Sequence, residues 1–246
     1  MNKLAVIGGT GIVKLEGLVI TEDITCDTPY GRPSSSLYMG TYAGTDIIFL
    51  LRHGDPPVIP PHKINYRANL HALKDNGVNT VIGINAVGGI TPEMLPGRLV
   101  LPDQIIDYTW GREHTFFEER LTHPVHVEFT RPYNGPLRNL IIDAASATDV
   151  KILPYGTYGA TQGPRLESAA EILRLERDGC NIVGMTGMPE CSLARELDMA
   201  YASISLIVNR AAGKSEEEIT MDLIRKNMEM ATGDLIRLFN ELIPGI

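Results

Sequence analysis

Short apolar or β-branched runs recur along this chain, most of them ending at a glycine or a polar residue, with helix-period segments between them. No other feature limits the fold as much, because strands that alternate with helices lead to a largely parallel sheet covered on both faces. The runs are Leu4 to Ile7, Ile47 to Leu51, Val81 to Ile84, Lys151 to Leu153, Ile182 to Gly184 and Ala202 to Val208. Asn65 to Asn76 brings Ala68, Ala72 and Leu73 to one side of a helix, and Glu167 to Asp178 does the same with Ala169, Ala170, Ile172 and Leu173. Gly77 and Gly179 follow as C-terminal stops. Ser215 and Glu218 make a capping box ahead of a last helix whose stripe runs Ile219, Leu223, Met228, Ala231, Leu235, Leu238 and Leu242. The expected fold class is α/β, a three-layer α/β/α sandwich around a central mixed, largely parallel sheet. At 246 residues, one domain spanning 1–246 is expected. Asp107 to Pro136 breaks the pattern. It is rich in His, Pro and aromatics and too long for a simple connection, so it reads as a functional loop or an interface.

Charge and cysteine content narrow the function. A formal net charge of -8 opposes nucleic acid and anionic membrane, which need a basic stripe. Cys26, Cys180 and Cys191 are odd in number and scattered, against a disulfide framework or a zinc knuckle. Met1-Asn2-Lys3-Leu4 leads straight into the first strand without the parts of a secretion signal, so a cytoplasmic protein is expected. Any anionic substrate must be gripped by local groups against the global field.

Four constellations sit where α/β sheets keep their ligands, just beyond strand ends. Gly8-Gly9-Thr10-Gly11 has Lys14 where a dinucleotide fingerprint needs its last glycine, and no Gly-Lys-Ser or Gly-Lys-Thr closes a P-loop. What remains is a tight turn or a backbone cradle for one phosphate-sized anion. Arg52-His53-Gly54 ends a strand, as a solvated pair or as an oxyanion grip. Asn85-Ala86-Val87-Gly88-Gly89 and Gly184-Met185-Thr186-Gly187-Met188-Pro189-Glu190 read as strand ends, either turns or site walls. Glu167 caps a helix or faces a ligand, and Asn209 ends a strand or faces a ligand. The six histidines form no helical metal pair and no serine sits in a Gly-x-Ser-x-Gly elbow.

Together with Asn65-Tyr66-Arg67-Ala68-Asn69, Gly163-Pro164-Arg165 and Tyr201-Ala202-Ser203-Ile204, these segments resemble the trimeric purine nucleoside phosphorylase and methylthioadenosine phosphorylase family, in order and spacing from near the first residue to the final helix. The resemblance implies one nucleoside phosphorylase domain and inorganic phosphate as a co-substrate, with no cofactor, protein nucleophile or metal. Phosphate would be held by Thr10, Arg52, His53, Asn85, Ala86 and Thr186, Asn85 standing where the methylthioadenosine enzymes carry threonine. Leu166, Glu167, Asn209 and Ala211 would line the base, and Asn209, His53 and Arg52 would carry the chemistry.

Family members acting on 6-aminopurines have aspartates at the positions of Asn209 and Ala211, whereas those acting on 6-oxopurines have this asparagine and this glutamate. An amide can donate to O6 and accept from protonated N7, which a carboxylate cannot do. At the sugar, Met185 is joined by Met221, where enzymes for ordinary nucleosides place a histidine against the 5′-hydroxyl. A thioether suits an apolar 5′ group, although a methionine at helical spacing also suits a core. His126 matches a histidine lent by a neighbouring subunit, so a homotrimer is expected. The substrate satisfying both ends is 5′-methylthioinosine. The alternatives are a general inosine and guanosine phosphorylase, a methylthioadenosine phosphorylase, and a catalytically silent nucleoside-binding protein.

Overall fold

The computed structural model describes residues 3–9, 15–119, 121–216 and 219–246. In chain order the elements are β1 (Leu4–Gly8), β2 (Leu18–Ile24), β3 (Leu37–Tyr42), β4 (Thr45–Leu51), α1 (Tyr66–Asp75), β5 (Thr80–Gly89), β6 (Leu99–Val100) and β7 (Gln104–Asp107). They continue with α2 (Gly135–Ala147), β8 (Ile152–Leu153), β9 (Thr157–Ala160), α3 (Ala169–Arg177), β10 (Ile182–Gly184), α4 (Glu190–Glu196), β11 (Ala200–Arg210) and α5 (Met221–Leu242). The strands form one mixed sheet in the order β2-β3-β4-β1-β5-β10-β9-β7, with β11 pairing both β5 and β6, and β6 pairing β8. Its centre is parallel, β1 running with β4 and β5, and β5 with β11.

Alternation along the buried strands sorts their side chains into two layers. Leu4 and Val6 of β1 join a core covered by α2 and α5, through Ile141 and Leu235 among others. Ala5 and Ile7 join an opposite core covered by α1 and α4, through Leu70 and Leu193. The expected three-layer sandwich is therefore observed. A smaller cluster of Ile90, Ile172, Leu175, Cys180, Val183 and Ala211 seats α3 beside β10.

Several expected boundaries move. Asn85 to Gly89 is the second half of β5 rather than a turn beyond it, because β11 pairs with β5 along its whole length and β10 adds an antiparallel partner at Gly88 and Gly89. The Ser215 and Glu218 capping box falls partly outside the described residues, and α5 instead starts at Met221, where the Thr220 hydroxyl accepts from the Leu223 N–H. Ile219 thus precedes the helix. Glu167 does not cap α3, since Ser168 and Glu171 form the capping box there. Gly77 and Gly179 do sit at positive φ behind α1 and α3, as helix stops require. In 107–136 the short strand β7 reaches Asp107, and the other described residues lack helix and strand up to Gly135. Among the described residues, no helix is long and apolar enough to cross a membrane.

Candidate active site

The carboxyl ends of β4, β5, β10 and β11 converge on one cleft. Gly9, Arg52, His53, Ala86, Leu166, Glu167, Met185, Thr186, Asn209, Ala211, Met221 and Ile224 are among its lining residues. Thus most of the candidate residues, scattered over the sequence, meet in one place. Thr10 lies outside the described residues. Asn85 is buried behind the cleft wall, and its amide Nδ2 donates to the Thr186 hydroxyl at 2.7 Å. His126 is exposed and is not among the residues lining the cleft of its own chain.

Arg52 is wholly buried. Its Nε and Nη2 donate to the two oxygens of Glu190, each at 2.7 Å, and Nη1 donates to the Ile84 carbonyl at 2.8 Å. Three of five guanidinium donors are so committed, and two remain. Burial acts to lower the Arg52 pKa, but the Glu190 charge and its hydrogen bonds outweigh that and raise it. Glycine makes this arrangement possible on both sides. A Cβ on Gly9 would lie 2.6 Å from the Ile84 oxygen and 2.8 Å from Arg52 Nη1, and one on Gly83 would strike the Tyr201 hydroxyl and Glu190 Oε1. Because Glu190 neutralises Arg52, the pocket presents fixed donors rather than net positive charge.

His53 faces the same cleft. Its Nδ1 lies 2.8 Å from the Ile59 carbonyl, which can only accept, so Nδ1 carries the hydrogen and the neutral ring keeps its lone pair on Nε2. Its pKa is lowered, by burial first and by the Arg52 charge, against the hydrogen bond to Ile59 and the Glu190 charge. Thr186 follows β10, with its backbone N–H 3.4 Å from the Tyr158 hydroxyl.

Also in the cleft wall, the Thr161 hydroxyl donates to Glu167 Oε1 at 2.6 Å, holding a carboxylate that the capping box has left free. A bulge between Ile207 and Asn209 leaves Val208 unpaired against β5, and both Val208 and Asn209 line the cleft. Asn209 Nδ2 donates one hydrogen to the Arg210 carbonyl at 2.7 Å. One amide hydrogen and the amide oxygen remain for a ligand. Met221 opens α5 and is 66% exposed at the cleft, so it is no core methionine here.

Two residues that sequence reasoning passed over organise this site. Glu190 was visible only as the end of a motif, and nothing local announces its pairing with a residue 138 positions away. Arg112, nearly buried in the irregular stretch, donates to the carbonyls of Met185 and Met188 through Nη1 and of Thr161 and Gln162 through Nη2. It fastens the segment bearing Thr186 to the one leading to Glu167. Among the described residues, no group of three or more His, Cys, Asp or Glu is arranged to hold a metal.

A sheet with this branching order and a cleft pairing anion donors with an amide and a carboxylate define a protein of the Phosphorylase superfamily, whose family model matches residues 3–244; the chain belongs to that family. Within it, the chain is 50% identical over 233 residues to a protein of Pseudomonas syringae named probable S-methyl-5′-thioinosine phosphorylase, covering 95% of each. It is 41% identical to the 6-oxopurine nucleoside phosphorylase of Pyrococcus furiosus, over 99% of this chain and 93% of that one. Among solved structures, methylthioadenosine phosphorylase from Schistosoma mansoni in complex with adenine superposes with a TM-score of 0.95 at 30% identity, over 99% of this chain and 91% of the other.

Proposed function

We propose that the protein phosphorolyses S-methyl-5′-thioinosine, releasing hypoxanthine and 5-methylthioribose 1-phosphate. The observation that carries this reading is that Asn209 and Glu167 line the same cleft as Met221. The names of the relatives with half of their residues identical support it.

Arg52, His53, Thr186, the backbone at Ala86, and Thr10 hold phosphate beneath the sugar. A phosphate oxygen bonds to the anomeric carbon as the glycosidic bond gives its electron pair to the purine. The hydrogen carried by the phosphate dianion ends on the base, so atoms and charge balance. Asn209 accepts from N7–H and donates to O6, Glu167 accepts from N1–H, and Leu166 and Ala211 flank the ring. The bond that Asn209 donates to O6 strengthens as electron density moves onto the base, and the Asn209 oxygen holds the N7 proton that neutralises the departing purine, which is what lowers the barrier. Met185 and Met221 meet the sugar and its methylthio group. Phosphate is the co-substrate and no cofactor takes part. The working form is a cytoplasmic homotrimer in which His126 serves a neighbour's 5′ pocket.

The second reading, a general 6-oxopurine nucleoside phosphorylase, draws on the Pyrococcus relative. Steady-state kcat/KM for methylthioinosine, inosine and methylthioadenosine, each with and without phosphate, separates the two. Methylthioinosine is expected to lead, and only with phosphate present. Inosine leading would overturn the 5′ assignment, and base release without phosphate would overturn phosphorolysis.

A further inference from the structure

Behind the cleft wall a chain of side-chain hydrogen bonds runs from β11 through β5 to the loop after β10. Ser203 Oγ donates to Asn85 Oδ1 at 2.8 Å, and Asn85 Nδ2 donates to Thr186 Oγ1 at 2.7 Å. Ser205 Oγ lies 3.3 Å from Ser203 Oγ. Ser203 has one hydroxyl hydrogen and spends it on Asn85, so Ser205 is the donor of that last pair. Ser203 and Ser205 are fully buried, Asn85 is 1% exposed and Thr186 is 7% exposed. Of the four, only Thr186 lines the cleft.

Every hydrogen in this chain points the same way, toward the cleft. Thr186 Oγ1 accepts from Asn85, so its own O–H points away from Asn85, toward the Tyr158 hydroxyl beside it or a ligand in the cleft. We propose that Asn85 is a positioning residue that fixes the Thr186 hydroxyl as a donor to phosphate, with Ser203 and Ser205 orienting the Asn85 amide. The inference rests on the phosphorolysis reading above and refines the part of Asn85 within it. It explains why an amide suits this position: Asn85 must accept from a serine and donate to a threonine at once. Hydrogen bonds in such a chain polarise one another, which strengthens the terminal donor. A threonine hydroxyl left to rotate would offer phosphate a lone pair as readily as a hydrogen.

The test is a double-mutant cycle on Asn85→Ala and Thr186→Val, reading KM for phosphate and KM for the nucleoside separately. Losing an oriented donor to a charged acceptor should raise the phosphate KM by about tenfold or more in either single variant. The double variant should be little worse than Thr186→Val alone, because Asn85 acts only through Thr186. Nucleoside KM should change far less. Ser203→Ala, a smaller change that leaves both partners of the Asn85 to Thr186 bond in place, should raise the phosphate KM in the same direction, and Thr186→Ser should keep the sensitivity to Asn85. Additive losses in the cycle would mean that Asn85 touches phosphate itself and would overturn the proposal. Equal rises in both KM values would overturn it too, since they mark general loosening. Wild-type enzyme that releases base without phosphate would instead defeat the phosphorolysis reading, whatever the cycle shows.

Discussion

With one hydrogen of Nδ2 held by the Arg210 carbonyl, Asn209 presents a single donor and a single acceptor to the cleft, the pair that O6 and protonated N7 of a 6-oxopurine require. Asn209→Asp keeps the shape and removes the donor. It should lower kcat/KM on 6-oxopurine nucleosides relative to 6-aminopurine nucleosides by about tenfold or more, the worth of one hydrogen bond involving a charged or charging group. An unchanged ratio in competing-substrate assays would show that Asn209 does not read the base. His53 yields a prediction about stability. Burial lowers its pKa below the ordinary 6.5, so the folded protein refuses a proton that the unfolded chain accepts. Its contribution to stability is complete above pH 6.5 and is lost as pH falls from there through the lower folded value. His53→Gln should therefore flatten the decline of Tm with pH in that window while leaving the slope above it alone. Equal Tm profiles for the two proteins would mean the ring is solvated.

Arg112 acts on the scale of elements, because its donors join the stretch after β9 to the loop between β10 and α4. Arg112→Lys replaces a planar fork with a point charge and cannot span both sets of carbonyls. Phosphate KM and nucleoside KM should both rise, because Thr186 hangs from one segment and Glu167 from the other; a change confined to either substrate would refute the clamp. The same residue shows where reading a sequence stops. Strands β1, β4 and β10 were legible because burial on both faces demands an apolar run, and β11 because only the small Ser203 and Ser205 interrupt its run from Ala202 to Val208. β2 was not, since its largely exposed side chains include Thr21, Glu22 and Asp23 and impose no such run. The far half of β5 carries Asn85, Gly88 and Gly89 and so resembles a turn, yet β11 beside it makes it a strand. Candidate site residues were legible where they sit at strand ends in recurrent motifs. Arg112, Thr161 and Glu190 were not, because their partners are fixed only by the folded chain.

At the scale of the whole molecule, the described residues leave Met221 uncovered at the cleft. Met221 is 66% exposed there, and an apolar 5′ group resting on it would remain in contact with water, forgoing most of the benefit of burial. The stretch carrying His126 is exposed, and with it Leu121, Val125 and Val127 are exposed apolar side chains. Both features are met if that segment of one copy covers the cleft of the next in a ring of head-to-tail contacts. Complementation tests this. A His126→Ala chain keeps its own base and phosphate groups but lends a defective lid, while an Asn209→Ala chain has a crippled cleft and lends an intact one. Co-expressed in equal amounts, about a quarter of the cleft and lid pairs in a cyclic assembly combine both intact halves at random. Phosphorolysis of methylthioinosine should therefore exceed the mean of the two separate variants, and should fall to that mean when assembly is blocked by dilution. Activity no greater than that mean in the assembled mixture would place His126 either in its own cleft or in none.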